Sequence, residues 1–126
     1  MMKIKYREAI SFQKTFKKLL KKYPSLRDDL EVAKVNAVEL LHIHKIDNQS
    51  IFRITGIIPP EMECYIVKKF TCRSLKGSGV KSGIRFTYIY LPNSQEIILI
   101  EIYHKNISTV EDKSLIQAYI YEYLVS

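Results

Sequence analysis

The spacing of apolar residues divides the chain into a helical first third and a strand-rich remainder. After a short strand at residues 3–7, apolar positions recur at helical intervals up to Pro24, which disfavours helix at the residue before it. Ser25 with Asp28 fits a capping box, and apolar positions continue at helical spacing from there to Leu41. This part of the sequence therefore predicts a first strand followed by a helical hairpin.

After the hairpin, the apolar spacing changes to the alternation that is typical of strands. Runs of this kind lie at residues 51–55, 62–71, 84–91 and 96–103, and the PNSQ segment between the last two predicts an antiparallel hairpin. An amphipathic helix then follows. We expect a single domain over residues 1–126 with an α+β fold, in which an N-terminal strand and a helical hairpin pack on a small, mainly antiparallel sheet followed by a C-terminal helix.

Alternation along residues 62–71 has a consequence for two adjacent lysines. Lys68 falls on the same face as Ile66 and Phe70, whereas Lys69 falls on the opposite face. Only one of the two lysines is therefore expected to line a site, and the alternation leaves open which one.

Composition adds a large positive charge to this picture. Lys and Arg number 20 against 13 Asp and Glu, which gives a formal net charge of +7. No acidic residue lies between Glu63 and Glu96, a segment that also contains glycines and an aromatic strand. Such an excess of cations favours a polyanionic partner, with nucleic acid ahead of a membrane surface.

Other features of the sequence indicate where the protein acts and what it does not bind. The first residues lack the apolar core of a signal peptide, and no apolar run is long enough to span a bilayer. Cys64 and Cys72 make neither a metal cluster nor a disulfide framework, and His42 and His44 are spaced so that they cannot share a helix face. We expect a cytoplasmic protein with reduced thiols, no membrane association, no metal and no other cofactor.

Several segments of the chain carry a family resemblance. They are LLKKYPSLRDDL, KKFTCRSLKGSGVKSGIR, and IEIYHK with a following ED. In this order, with compatible spacing over nearly the whole chain, they resemble the RelE/ParE-superfamily toxins of prokaryotic type II toxin–antitoxin modules, most closely the RelE/HigB-like branch. The resemblance implies a sheet flanked by helices and a cognate antitoxin that binds and neutralises the toxin, with the free toxin a monomer.

The activity that this resemblance implies depends on the branch. RelE-like members cleave mRNA in the ribosomal A site, whereas ParE-like members share the fold but poison gyrase and are not nucleases. The expected partners are therefore mRNA and the ribosome, and the expected activity is that of a ribosome-dependent endoribonuclease. The alternative is a non-enzymatic ParE-like toxin or a member that has lost catalysis.

RNA cleavage without a metal needs a base for the 2′-hydroxyl, cations for the phosphorane and an acid for the leaving 5′-oxygen. The resemblance places Arg85 on the scissile phosphate and Lys68 at a basic position of the preceding strand. It places a terminal catalytic cluster at Tyr103, His104 and Lys105. In that cluster, Tyr103 would stack on a base, and His104 or Lys105 would handle the proton.

The remaining cations of the acid-free segment are expected to hold RNA phosphates. They are Lys69, Arg73, Lys76 and Lys81. Phe70 stands near the position of a second base in RelE, a departure that favours the non-enzymatic alternative.

Overall fold

The fold is α+β, with one five-stranded sheet among the described residues. The computed structural model describes residues 3–75, 77, 79, 81–108 and 110–124. In chain order the elements are β1 (Lys5–Glu8), α1 (Ile10–Lys22), α2 (Leu26–Ala33), a π-helical segment (Lys34–Glu39), α3 (Leu40–His42), β2 (Ile51–Arg53), β3 (Glu63–Val67), β4 (Ile84–Leu91), β5 (Glu96–His104), α4 (Lys113–Tyr119) and a second π-helical segment (Ile120–Leu124). The predicted helical hairpin, β4–β5 hairpin and C-terminal helix are confirmed.

The sheet has the strand order β1-β5-β4-β3-β2. Only the β1–β5 pairing is parallel among these strands, and the other three pairings are antiparallel, as expected for a mainly antiparallel sheet. A register shift follows Thr87, because Thr87 pairs with Glu101 while Tyr88 pairs with Leu99. Ile100 is therefore an extra residue in β5, and this bulge places Glu101 on the same face as Thr87.

Both faces of the central strands are buried. On one face, the helical hairpin covers a core that includes Phe12, Leu26 and Phe86. On the other face, α4 and the loop after β2 cover a second core that includes Ile89 and Ile116. This double coverage explains why β4 is almost continuously apolar.

The start of α2 differs from the predicted capping box. Ser25 has helical dihedral angles (φ −71°, ψ −11°), and its side chain makes no capping hydrogen bond. Its hydroxyl instead donates to the buried Asp29 carboxylate (2.6 Å) and accepts from the backbone N–H of Ser74 (2.7 Å). The predicted capping box is therefore wrong, because the Ser25 hydroxyl binds a loop residue 49 positions away instead of the helix N-terminus.

Asp29 ties the acid-free segment to α2. Its carboxylate accepts from the Arg73 backbone N–H (3.0 Å), from Arg73 Nε (2.9 Å) and from Ser25. Burial raises the pKa of Asp29, but these hydrogen bonds outweigh burial and bring the pKa below its ordinary value of 3.8. A folded pKa below the unfolded one means that this stabilisation is present at neutral pH and is lost as the pH falls below about 4.

Replacing Asp29 by asparagine is therefore expected to lower the free energy of unfolding at pH 7 by about 1–2 kcal/mol, because an amide cannot accept all the charge-assisted bonds. Urea denaturation measures the change. Asp28→Asn is the matched control, since that side chain is 78% exposed and its contact with Arg73 is 3.5 Å long. Equal losses in the two variants would contradict the assignment.

Candidate functional site

A basic cleft lies where the ends of β3, β4 and β5 meet. Its volume is about 290 Å³, and its lining residues are Phe52, Lys68, Lys69, Lys81, Gly83, Arg85 and Lys105. Five of these seven residues are cationic, and none is acidic. Cations gathered without a compensating carboxylate in the lining form an anion-binding surface.

Strand register sets the order of the cations across the sheet. Val67 pairs with Phe86, so continuing this register by one residue sets Lys68 opposite Arg85. The Lys68 backbone N–H donates to the Ser50 carbonyl (2.9 Å), which holds Lys68 in line with the sheet although β3 has ended. The predicted pair of Lys68 and Arg85, 17 positions apart in the sequence, is thus brought together.

The expectation that only one of the two adjacent lysines lines the site is wrong. Both Lys68 and Lys69 line the cleft. The predicted alternation over residues 62–71 stops because β3 ends at Val67, and Phe70 then turns into the core under the helical hairpin, against Phe86 (ring centroids 5.7 Å apart). Past the end of a strand, consecutive side chains no longer have to point to opposite faces.

Gly83 allows a close approach between the loop and the end of β5. Its φ is +84°, and a Cβ at this position would lie 2.9 Å from His104 Nε2 and 3.3 Å from Lys105 Cε. The Lys105 backbone N–H donates to the Gly83 carbonyl (2.9 Å). Both the dihedral angle and the lack of space require glycine here, and the contact carries Lys105 into the cleft.

We expect Gly83→Ala to lower the free energy of unfolding by about 2 kcal/mol, because the backbone is strained and the His104 ring must move. Gly77→Ala is the matched control, since Gly77 has nearly the same φ (+82°) and no atom lies within 4 Å of the point that a Cβ would occupy there. Thermal unfolding of both variants measures the difference. A loss at Gly77 as large as that at Gly83 would show that backbone strain alone is responsible.

His104 lies on the helical-hairpin side of the sheet end. Its ring stacks on Tyr23 (centroids 6.4 Å apart, interplanar angle 20°), and its Nδ1 accepts from the Asn106 backbone N–H (3.1 Å). This hydrogen bond assigns the proton of the neutral ring to Nε2. His104 does not line the cleft. Its Nε2 faces Gly83, and Gly83 is one of the residues that line the cleft.

Tyr103 does not offer its ring for stacking. It pairs with Arg85 in the β4–β5 register, is 6% exposed and packs in the core under α4. Burial raises the pKa of Tyr103 to about 12, although the neighbouring Arg85 acts in the opposite direction. The base-stacking role that the resemblance gives to Tyr103 thus has no exposed ring to perform it.

The aromatic residue that lines the cleft is Phe52, which the sequence did not single out. Phe52 is 43% exposed on the edge strand β2, and Lys68 Nζ lies 5.1 Å from the centroid of its ring. The sequence offered only a weak signal, a large apolar residue next to Arg53 in a short strand. Its place beside the cations depends on the pairing of β2 with β3.

The cations that were predicted to bind phosphate do not all lie in the cleft. Lys81 lines the cleft, together with Lys69. Arg73 instead forms ion pairs with Asp29 (2.9 Å) and Asp28 (3.5 Å), so two carboxylates balance its charge. Lys76 lies outside the described residues.

Other groups with possible chemistry are buried. Cys64 and Cys72 are free and buried, and His42 is enclosed by tyrosine rings. Over the described ranges, no cluster of three or more His, Cys, Asp or Glu side chains is arranged to hold a metal ion. None of the helices in the described part of the chain has the length and apolar character needed to cross a membrane.

Comparison with known proteins does not add to the resemblance, which depends on the sequence segments alone. No family model, curated protein or solved structure matches this chain.

Proposed function

We propose that this chain is the toxin of a toxin–antitoxin module and acts as a ribosome-dependent endoribonuclease on mRNA. The observation that carries the proposal is the cleft with five cationic side chains and no acidic side chain in its lining. The similarity of KKFTCRSLKGSGVKSGIR and IEIYHK to RelE-like toxins supports it, since these segments supply most of the cleft. Its partners would be mRNA, the ribosome and a cognate antitoxin in the cytoplasm.

The chemistry proposed is attack of the ribose 2′-oxygen on the adjacent phosphorus. The P–O5′ bond breaks, which leaves a 2′,3′-cyclic phosphate and a free 5′-hydroxyl. Arg85 would clamp the phosphate with two donors, and Lys68 beside it would balance the charge of the phosphorane. No metal takes part in this scheme, in which the cations that line the cleft would surround the phosphate.

Two proton transfers complete the reaction. Lys69 would act as the general base that takes the proton from the 2′-hydroxyl, while Lys68 remains the partner of the phosphorane charge. Lys105 would give a proton to the leaving 5′-oxygen. His104 would assist as a hydrogen-bond donor through Nε2, since Nδ1 is held by the backbone of Asn106.

A non-enzymatic ParE-like toxin, which would inhibit gyrase, is the second candidate. Two observations favour it. Phe70, near a position that is basic in RelE, is 1% exposed and part of the core. Tyr103 is also buried.

Inducible expression in bacteria tests the proposal. Growth and primer extension on an abundant mRNA are compared between the native chain and Arg85→Ala. Growth arrest with cuts inside translated codons, absent in the variant, is the expected result. Arrest without cuts would favour the gyrase-type toxin, and the absence of both arrest and cuts would contradict a toxin function.

A further inference from the structure

Phe52 is a large aromatic side chain left exposed at the rim of the cationic cleft. It is 43% exposed, whereas Ile66, its pairing partner on β3, is 3% exposed and lies in the core under α4. Neither core cluster contains Phe52. Its ring therefore lies outside both cores.

The strand register shows what lies beside this ring. Phe52 pairs with Ile66 on β3, and Lys68 is the first residue after the end of β3, held in line with the sheet by its backbone bond to Ser50. Lys68 Nζ lies 5.1 Å from the ring centroid. Arg85 follows on the next strand, at a distance of two strand spacings from β2, or about 10 Å.

This arrangement combines the two elements that bind single-stranded nucleic acid. Aromatic rings stack on bases, and cations beside them hold the backbone phosphates. An inorganic phosphate or an acidic peptide would use the cations alone and would leave the ring without a contact. A nucleotide would use both, with its base on the ring and its phosphate between Lys68 and Arg85.

We propose that Phe52 is a base-stacking residue, which binds a nucleobase of a single-stranded RNA segment whose phosphates occupy the cationic cleft. The choice of RNA as ligand rests on the proposed function. Phe52 is not among the site residues that the resemblance implies. In this proposal it takes the stacking role that the resemblance gives to Tyr103, which is buried.

Two probes separate stacking from charge. One is a short fluorescein-labelled 2′-O-methyl RNA, which cannot be cleaved because it has no free 2′-hydroxyl. The other is an abasic strand of the same length and charge. Fluorescence anisotropy at low salt measures their affinity for the native chain, Phe52→Leu and Phe52→Trp. Tyr121→Leu is the matched control, since Tyr121 is also exposed (80%) but belongs to the second π-helical segment and does not line the cleft.

The expected result is a loss of about tenfold in affinity for the RNA in Phe52→Leu, with the affinity for the abasic strand unchanged. Phe52→Trp should bind the RNA at least as well as the native chain, and Tyr121→Leu should bind both probes like the native chain. Circular dichroism of each variant shows that the fold is kept.

Three results would overturn the proposal. An unchanged RNA affinity in Phe52→Leu would mean that the ring contacts no base, while RNA binding by the native chain would still support the proposed function. Equal losses for both probes would mean that Phe52 only positions Lys68. No binding of either probe by the native chain would contradict the proposed function as well.

Discussion

Purified Arg85→Ala is expected to cleave mRNA on translating ribosomes about 10²–10³-fold more slowly than the native protein. Arg85 lies near the start of β4, where its backbone pairs with Tyr103 of β5, and its side chain lines the cleft. In the proposed reaction it contacts the phosphate whose charge grows in the transition state. Removal of such a donor reduces the rate of the chemical step more than it weakens binding.

The matched variant for this experiment is Arg85→Lys. It keeps the charge but loses the two-donor fork, so we expect an intermediate rate. Single-turnover cleavage at saturating enzyme measures the chemical step, and affinity for ribosomes is measured separately. Full activity in Arg85→Ala, with unchanged thermal stability, would remove Arg85 from the catalytic machinery and with it the proposed mechanism.

The second large effect concerns His42 and the stability of the fold in acid. His42 is 4% exposed, its Nε2 lies 2.7 Å from the Tyr88 hydroxyl, and the rings of Tyr65 and Tyr90 lie against it. Burial lowers the pKa of His42 from 6.5 to about 4; the nearby Glu63 acts in the opposite direction. The folded protein therefore holds this side chain neutral.

The sign of the pH dependence follows from the two protonation states. Between pH 6.5 and about 4, the unfolded chain binds a proton at His42 that the folded chain does not. Stability is therefore complete above pH 6.5 and decreases as the pH falls through this window. The loss from His42 between pH 7.5 and pH 4 should be about 3 kcal/mol.

Urea denaturation at a series of pH values measures this loss. In His42→Gln, the decrease between pH 7.5 and pH 4 should be smaller by about 3 kcal/mol than in the native chain, although the variant is less stable at neutral pH. His44→Gln is the control, since His44 is exposed two residues away, and it should keep the native pH profile. Identical profiles for the native chain and His42→Gln would rule out the buried neutral histidine.

The two effects occupy different parts of the molecule. His42 ends α3 and packs against tyrosines of β3 and β4, whereas Arg85 lies at the end of β4 that faces the cleft. Assays of cleavage near neutral pH are therefore outside the window in which His42 protonation weakens the fold.

The order and type of the elements were determined by the sequence itself. The helical hairpin, the β4–β5 hairpin and the C-terminal helix follow from apolar periodicity, which is a local property of each segment. The bounds of β4 agree with the predicted 84–91, because this run of β-branched and aromatic residues lies between a glycine-rich loop and the PNSQ turn. The accumulation of cations between Glu63 and Glu96 was also evident, since charge can be counted without knowing the fold.

Only the tertiary structure decided which of these cations act together. Lys68 and Lys69 share the cleft because β3 ends at Val67, while Arg73 is held by Asp29 from a helix 44 residues away. Tyr103 is buried and Phe52 is exposed, and this difference also depends on what packs against each strand. Contacts between segments distant in the sequence have no local pattern, so periodicity and spacing cannot predict them.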